Sequence, residues 1–566
     1  MSWKRKNIGA FLLGTLLVLS MSGCKKGGTD NTKTVKDPYG IMPQLAYSGN
    51  LDILVYIQGM DGETRDIGND KITTEELTDG NLQKYHAVAK EFKKLYPNIK
   101  VNLIYDSIDN YTDRLISYQE SHNGQFPHIM HLPYTVQEGL GRGYSADLQK
   151  YKYLKLYDAI DPSVWEYFTF GDFVAAVPFY VYPTGIFVNK GILETNYLYD
   201  PAENLLDKWT LDEMTDMLKT VHNVQTHIGG TGVLSSDLIN IISDTVDKTL
   251  LSNKNVNLDT LEIEHILQKE YEIASASVWD YQSKSIKQPF DQIKPWSYNT
   301  NFIDDELYTM EMSRSYCAVL YSQLIKKGNK EGKFDFMPFP KLNEDSDFRI
   351  GVIAEGLTVG NQCPLDMKCT QKLKDAEEAA AAFALFMAAD TRSIKSIAHT
   401  PFMYQGELVS GNFESLPVIR KDITYPYNEN KTQSYDEETF LDPDNELNDY
   451  QVQLNEYLSL VSAFADQEGF KEVLRIFTEE KYNAYAYNTI PRSVPLEQGG
   501  TEDILEKWNN RFTTNGTISA ITWVDNTKRF LSDWTKDANS NIQTAYDLLQ
   551  DNLDDYYGKG VYNVFA

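Results

Sequence analysis

The stretch FVAAVPFYVYPTGIFVNK, Phe173–Lys190, combines two apolar runs with two prolines. Phe173–Val177 and Gly185–Val188 are short and rich in Val, Ile and Phe, which favours β-strands. Pro178 and Pro183 cannot donate hydrogen bonds to a β-ladder, so one uninterrupted central strand is not expected here. Two interpretations stay open from this stretch alone. It is either an edge strand of one large domain, or a crossover that leaves one sheet and enters another with tyrosines exposed between them.

The chain before this stretch alternates between strand and helix patterns. Leu51–Ile57 predicts a buried strand, Asn81–Tyr96 carries apolar residues at helical spacing, and Ile99–Tyr105 predicts a second strand. Phe126–Leu132 predicts a third strand. The polar stretch Gln58–Asp79 is predicted as a long loop or insertion. Strands that alternate with helices in this way indicate βαβ units and a parallel sheet.

The composition is that of a large, acidic globular protein. The chain has 566 residues, a formal net charge of −28, 42% apolar residues and 24% charged residues. This length predicts two to four domains. A nucleic-acid partner is not expected, because phosphate binding needs a basic surface. The 37 Tyr and 8 Trp residues suit surfaces that are partly apolar and partly hydrogen-bonding.

The N-terminus has the pattern of an export signal. Lys4–Lys6 is positive, Ile8–Ser20 is apolar but short for a membrane span, and small residues precede Cys24. This arrangement resembles the lipobox of bacterial lipoproteins, in which the cysteine is diacylated. The sequence therefore predicts a signal peptide over residues 1–23, lipidation of Cys24, a flexible tether over residues 24–49, and a body anchored at the extracellular face of the cytoplasmic membrane. The alternative is an ordinary secretory signal with an incidental cysteine.

Three cysteines remain after Cys24. Cys363 and Cys369 could close a small loop, but their spacing does not prove a disulfide, and free thiols, with Cys317, are the favoured expectation. A single cysteine pair is a poor zinc site. His128 and His131 would point to opposite faces of a strand, so they are not expected to bind a metal together. No cofactor or metal is predicted.

Several segments resemble a known family. The segment Lys90–Leu103, KEFKKLYPNIKVNL, resembles the helix–strand element of the family 1 extracellular solute-binding proteins, the receptors of ABC importers. Further similar segments follow in the family's order: Tyr111–Leu115, His122–Met130, Leu140–Leu148, Val177–Lys190, Trp209–Glu213, Phe336–Pro340, Ile353–Val359 and Ala376–Thr391. Three features depart from the family's pattern. His128 replaces the usual Asp, the insert Gln58–Asp79 is long, and the tail Glu407–Ala566 runs past the usual end.

The resemblance implies an α/β, two-lobe fold of the periplasmic-binding-protein type, with ligand bound between the lobes. Three inter-lobe crossovers are expected near Phe173–Gly185, Arg349–Leu357 and Thr400–Gln405. The implied lobes are discontinuous in sequence: residues 50–177 plus 355–402 for lobe 1, and 183–350 plus 405–566, including a mainly helical C-terminal extension, for lobe 2.

The resemblance also implies the function. The expected protein is a monomer without catalytic activity that captures an oligosaccharide and delivers it to the permease of an ABC importer. A glycan cleft needs flat aromatic rings together with polar side chains that bind hydroxyls. The residues predicted to supply them are Tyr134, Trp165, Tyr180, Tyr182, Trp279, Asp280, Trp296, Tyr321, Gln323, Glu355, Phe402 and Tyr404.

Two alternatives remain open from the sequence. The first is a receptor for another solute, such as a peptide. The second is a surface enzyme that acts on glycans, which would need two carboxylates about 5–10 Å apart across the cleft.

Overall fold

The structure is a computed structural model that describes most of the chain from Asp37 onward. The described residues are 37–57, 62–69, 71–72, 77, 79–132, 143–232, 261–280, 285–288, 290, 300–315, 317–364, 368–400, 402–404, 407–409, 458–478, 484–486, 493–495, 501–503, 519–526, 528–529, 547, 550–551 and 553–563. The predicted signal peptide, Cys24, Tyr134 and Trp296 lie outside these residues.

The strands are numbered in chain order. They are β1 (Gly49–Tyr56), β2 (Glu63–Ile67), β3 (Ile99–Asp106), β4 (Ile129–His131), β5 (Thr169–Phe170), β6 (Phe173–Val174), β7 (Val177–Asn189), β8 (Gly229–Thr231), β9 (Trp279–Asp280), β10 (Ser285–Ile286), β11 (Tyr308–Arg314), β12 (Phe334–Met337), β13 (Ile350–Val359), β14 (Phe402–Tyr404), β15 (Glu407–Val409), β16 (Ala484–Ala486), β17 (Ser493–Pro495) and β18 (Thr501–Asp503).

The helices are numbered in the same way. They are α1 (Gly80–Leu95), α2 (Tyr111–Ser121), α3 (Lys155–Ala159), α4 (Pro162–Trp165), α5 (Lys190–Thr195), α6 (Leu211–Val221), α7 (Leu261–Ser275), α8 (Thr300–Ile303), α9 (Cys317–Lys327), α10 (Gln371–Ala389), α11 (Thr391–Ala398), α12 (Ser462–Ala465) and α13 (Glu468–Thr478). Within the described residues, no helix is both long and apolar enough to cross a membrane.

One sheet runs through both halves of the molecule. Its strand order is β2-β3-β1-β4-β13-β7-β11-β8, while β12 also pairs with β7 and β16 with β13. β1 is parallel to β3 and to β4, which confirms the predicted βαβ arrangement. The stretch predicted as a long loop, Gln58–Asp79, contains β2, which pairs antiparallel with β3 at the sheet edge. The architecture is the mixed α/β, two-lobe fold that the sequence predicts.

The strand β7 joins the two halves of this sheet. It is one strand of 13 residues, so the prediction that prolines interrupt it is wrong. Its first part pairs with β13 as far as Pro183, and from Thr184 it pairs with β11. Pro178 lies opposite the β-bulge at Gly356. Pro183 lies where the partner changes, and its carbonyl accepts a hydrogen bond from Ser315 N at 2.9 Å. The prolines are tolerated because they occupy irregular places in the ladder. Because β7 has strands on both sides, it is not an edge strand.

Buried apolar side chains cover both faces of the N-terminal strands. On one face, Leu51, Ile53 and Val55 of β1 belong to a large core that includes side chains of α1 and α10. On the other face, Leu54 belongs to a small core beneath α2 that includes Tyr111. The alternation of inward and outward residues along β1 thus places one helix layer on each side of the sheet.

The C-terminal extension docks on the second half of the sheet. Gly469 N and Phe470 N, at the start of α13, each donate to the Asp335 carboxylate of β12 at 3.1 Å. Asp335 is buried, and this burial raises its pKa despite the nearby Lys190 and the backbone donors. Further along the extension, β16 pairs in parallel with β13. The described parts of the extension therefore contain short strands as well as the predicted helices.

The described C-terminal residues contact both halves of the molecule. Trp523 Nε1 donates to Glu270 Oε2 of α7 at 2.9 Å. Tyr562 OH donates to Asp147 Oδ2 at 2.9 Å, and its ring meets Phe173 edge-on at 4.8 Å between centroids. The extension thus contacts residues that precede β7 in sequence and a helix that follows it.

The segment before β1 is packed rather than flexible. Asp37 Oδ2 accepts a hydrogen bond from Met42 N at 2.8 Å, and Asp37 Oδ1 accepts one from Arg392 Nη1 at 2.8 Å. Tyr96 OH donates to Pro43 O at 2.6 Å. The prediction of a flexible tether over residues 24–49 is therefore wrong for residues 37–49.

The structure joins Cys363 and Cys369 in a disulfide. The expectation of free thiols at these positions is wrong. Cys317 is a buried free cysteine in α9.

Candidate functional site

The carboxyl ends of β1, β3 and β4 meet at one edge of the sheet. The chain leaves β1 for β3 on one side, and later returns as β4 on the other side of β1. Such a reversal of strand order opens a crevice, and open α/β sheets bind ligands there. The three strands end at this edge on Tyr56, Asp106 and His131.

Glu355 of β13 lies beside the end of β4. The pairing of these strands places Leu357 opposite His131, and a bulge follows Glu355 in the ladder with β7. Glu355 Oε2 is 3.0 Å from His131 Nε2, and Tyr182 OH donates to Glu355 Oε1 at 3.3 Å. Three adjacent strands, β4, β13 and β7, therefore contribute to one hydrogen-bonded group.

The helix α1 completes this group. Tyr85 OH lies 3.4 Å from His131 Nδ1. Which of these two atoms donates depends on the tautomer of the His131 ring. Burial raises the pKa of Tyr85 well above its usual value, so this hydroxyl keeps its proton. Lys84 is fully buried beside Tyr85. We call Lys84, Tyr85, His131, Tyr182 and Glu355 the crossover cluster.

Glu355 is the charged acceptor of the crossover cluster. Burial by itself would raise its pKa, but the hydrogen bond and charge of His131, the Tyr182 hydroxyl and the charge of Lys84 together hold the pKa below its usual value. The carboxylate is therefore ionised at neutral pH. Its side chain keeps 27% of its surface exposed, so it can still accept hydrogen bonds from a ligand.

Two aromatic rings pack beside His131 in the hydrogen-bonded group. The Tyr56 and His131 ring centroids are 5.2 Å apart, and Phe179 meets His131 edge-on at 5.9 Å. An ionised carboxylate next to rings suits a molecule that has both hydroxyl groups and apolar faces.

A family model matches the part of the chain that contains this site. Residues 78–390 match the model of the bacterial extracellular solute-binding proteins, which is more than half of the 566-residue chain. The chain belongs to this family. No curated protein sequence matches it.

Solved structures share the fold of this solute-binding protein. An ABC substrate-binding protein from Listeria monocytogenes, solved with cycloalternan, is 14% identical with a TM-score of 0.53, over 88% of this chain and 99% of that chain. A family 1 extracellular solute-binding protein from Alicyclobacillus acidocaldarius is 12% identical with a TM-score of 0.51, over 88% and 99%. The cyclic alpha-maltosyl-1,6-maltose binding protein from Arthrobacter globiformis is 12% identical with a TM-score of 0.50, over 86% and 99%. Identities this low show a common fold only.

Two predicted ligand contacts of the solute-binding protein meet in the crossover cluster, namely Tyr182 and Glu355. Tyr180 lies directly opposite Glu355 in the ladder between β7 and β13. Trp279 and Asp280 are half-buried and form β9, which pairs with β10.

Three other predicted contacts lie in helices. Trp165 is a buried residue of α4, its ring stacks on Tyr157 at 4.2 Å, and its Nε1 donates to Tyr157 O. Tyr321 is fully buried in α9, and its hydroxyl donates to Glu311 Oε1 at 2.8 Å. Gln323 is half-buried in α9. Trp165 and Tyr321 are therefore core residues in this structure.

Two more candidates belong to a hairpin near the third predicted crossover. Phe402 and Tyr404 are the first and last residues of β14, which pairs with β15. Tyr134 and Trp296 fall outside the described residues.

The sequence prediction missed Lys84, Tyr85 and His131. The two residues of α1 have the spacing of ordinary helix core, which gives no signal of a site. His131 did carry a signal, because it ends a parallel strand at the carboxyl edge of the sheet. Within the described residues, no group of three or more His, Cys, Asp or Glu side chains is arranged to hold a metal ion.

Proposed function

We propose that this solute-binding protein captures an oligosaccharide between its two lobes and delivers it to the permease of an ABC importer. The observation that carries this proposal is the crossover cluster, with Glu355 ionised between His131 and Tyr182 on strands that belong to both halves of the sheet. Two neighbours in fold are described with cyclic oligosaccharides, cycloalternan and cyclic alpha-maltosyl-1,6-maltose.

The role of Glu355 is to accept hydrogen bonds from ligand hydroxyls. Each carboxylate oxygen has two lone-pair sites, so each can bind a hydroxyl in addition to its partner in the protein. The half-buried ring of Tyr56 supplies apolar surface for the C–H face of a sugar, whereas Phe179 is buried and supports the His131 ring from the core. Micromolar affinity corresponds to about −8 kcal/mol, which needs several such contacts together.

The lobes are proposed to be residues 50–177 plus 355–402, and 183–350 plus 405–566. The pairing of β7 with β13 supports boundaries near residues 177–183 and 350–355, because both strands extend into both halves there. Ligand binding would favour the closed arrangement of these lobes, and the closed form would be recognised by the permease.

The protein is proposed to be a monomer anchored outside the cell through a lipid on Cys24. The segment between Cys24 and the packed Asp37 then forms the whole tether. The 12 residues between Cys24 and Asp37 could span at most about 45 Å when fully extended.

A thermal-shift screen tests the proposed ligand class. An oligosaccharide that binds the folded protein should raise its melting temperature, whereas peptides should not. Glu355→Gln should weaken that oligosaccharide about tenfold or more, because a neutral amide replaces the charged acceptor. Glu331→Gln is the matched control, since Glu331 is exposed on a distant loop.

Other outcomes would support the alternatives. A response to peptides alone would make this protein a peptide receptor. Shortened products after incubation with a bound oligosaccharide would make it an enzyme that acts on glycans. Within the crossover cluster, Glu355 is the one carboxylate, which favours binding over the two-carboxylate chemistry of glycoside hydrolysis.

A further inference from the structure

A polar cavity lies between the N-terminal strands and α2, away from the carboxyl edge that carries the crossover cluster. It has a volume of about 390 Å³ and is lined by the beginning of β1, by residues of β2 and β3, and by α2 with the residue that follows it. Asn50 and Asp52 of β1 line it, whereas Tyr56 at the far end of β1 borders the crevice. Asp52 and Tyr56 are separated by four residues of strand, or roughly 13 Å. The cavity is therefore distinct from the crossover cluster.

The floor of this cavity is polar, although the interface between a sheet and its covering helix is usually apolar. Asn50, Asp52 and Leu54 alternate along β1 toward α2, but only Leu54 belongs to the apolar core there. The side chain of Asp52 is only 14% exposed. Asn102 Nδ2 donates to its Oδ1 at 2.8 Å, and Tyr118 OH donates to its Oδ2 at 2.7 Å. These two bonds hold the Asp52 carboxylate in one orientation.

The opposite wall of the cavity supplies donors. Arg114 Nη2 of α2 donates to Thr64 Oγ1 at 3.1 Å, and this is the one hydrogen bond that the described residues give its guanidinium group. The remaining N–H groups of Arg114 can bind oxygen atoms of a ligand. The His122 ring lies flat on Tyr118, with centroids 3.9 Å apart and planes 8° apart. His122 is exposed and so provides a planar surface.

The charges around the cavity balance. Asp52 is negative and Arg114 is positive. His128 accepts a hydrogen bond from Asp52 N through Nδ1 at 3.1 Å, and burial lowers the pKa of His128 in spite of the nearby Asp52 charge. His128 is therefore neutral at neutral pH. An anion would be opposed by Asp52, and a cation by Arg114.

We propose that this cavity binds a small neutral polyhydroxylated molecule, a monosaccharide or a sugar alcohol, at a site separate from the inter-lobe crevice. Asp52 and Asn102 would accept hydrogen bonds from neighbouring hydroxyl groups, and Arg114 would donate to ring or hydroxyl oxygens. The planar His122 ring would pack against a C–H face of the ligand. The cavity volume lies at the small end of the range for ligand sites, which suits a single sugar ring rather than a longer chain.

The position of Ser117 allows a test that leaves these hydrogen bonds intact. Ser117 lines the cavity from α2 and is exposed. Ser117→Trp should fill the cavity without removing Asp52, Asn102 or Arg114. Thr112→Trp is the matched control, because Thr112 is exposed on the same helix and does not line the cavity.

Isothermal titration with glucose, xylose and ribitol at millimolar concentrations provides the measurement. At least one of these probes should bind the wild-type protein, and Ser117→Trp should weaken it about tenfold or more while Thr112→Trp leaves it unchanged. Arg114→Gln should also weaken it. Glu355→Gln should leave it unchanged, which separates this site from the crevice. The proposal is overturned if none of the probes binds, if Ser117→Trp binds as well as Thr112→Trp, or if Glu355→Gln abolishes the binding.

Discussion

His131 and Glu355 lie 3.0 Å apart and join the short strand β4 to β13. Because β13 also pairs with β7, this contact connects the carboxyl edge of the parallel strands to the strand that runs through both halves of the sheet. A change at either residue is therefore expected to affect both stability and ligand binding.

The stability contributed by Glu355 should depend on pH. The pKa of Glu355 is lower in the folded protein than its ordinary value of 4.5. Its ionised form therefore stabilises the fold above about pH 4.5, and this contribution is lost as the pH falls through the lowered pKa. Urea unfolding at neutral pH should show Glu355→Gln destabilised by about 1–3 kcal/mol. The difference from wild type should shrink in acid, and an equal difference at both pH values would contradict the assignment.

Tyr321 should matter for stability but not for ligand binding. Tyr321→Phe leaves the buried Glu311 with Tyr308 as its hydroxyl donor, whose distance to Oε2 is 2.8 Å. The loss of one hydrogen bond to a buried carboxylate should cost about 1–3 kcal/mol of unfolding free energy. The affinity for a glycan should stay unchanged. Tyr197→Phe is the control, because Tyr197 is 96% exposed. If Tyr321→Phe weakened glycan binding without lowering stability, Tyr321 would be a ligand contact after all.

Local sequence patterns correctly predicted the alternating strands and helices of the N-terminal part of the sheet. The strand and helix alternation around β1, α1 and β3 was confirmed, because its apolar periodicity is clear. The apolar run Cys317–Leu320 is too short for its pattern to distinguish strand from helix, and the structure places it at the start of α9. The continuity of β7 depends on the bulge in β13 opposite Pro178, 178 residues away in sequence, and on the change of partner strand after Pro183. The prolines alone therefore suggested the wrong structure.

The site was predictable only in part. Glu355 was identified because a carboxylate between two apolar runs is unusual. Its partners His131 and Tyr85 come from distant segments, and only the tertiary fold brings them within hydrogen-bonding distance. Trp165 has the residue type of a sugar platform, but a ring in sequence does not reveal whether its face is covered, here by Tyr157.

Asp335 should hold the C-terminal extension to the sheet. Asp335→Ala leaves Gly469 N and Phe470 N without the carboxylate that accepts their hydrogen bonds at 3.1 Å. Loss of such a helix cap should cost about 0.5–2 kcal/mol. Hydrogen exchange should therefore become faster at the start of α13, whereas Glu331→Ala on the exposed loop should have no effect there. Unchanged exchange in Asp335→Ala would show that other contacts hold this helix.

Cys24 is predicted to anchor the protein in the membrane. Cys24→Ala removes the thiol that the proposed lipid would modify, so the protein should move from the membrane fraction to the soluble fraction of the producing cells. Cys317→Ala is a suitable comparison, because Cys317 is buried in α9 and should not alter the fractionation. Retention of Cys24→Ala in the membrane fraction would contradict the lipobox interpretation.

The C-terminal residues should stabilise the segment that precedes β7, through contacts with Asp147 and Phe173. Tyr562 donates to Asp147 at 2.9 Å and meets the ring of Phe173, which lies in β6 just before β7. Tyr562→Ala removes both contacts, so the unfolding free energy should fall by about 1–3 kcal/mol. Tyr562→Phe keeps the ring, so it should lower the unfolding free energy by only part of that amount. Val561→Ala should change the unfolding free energy little, because Val561 is 54% exposed. Chemical denaturation of the three variants measures the series. If Tyr562→Ala is as stable as Val561→Ala, the C-terminal contact with Phe173 does not stabilise the fold.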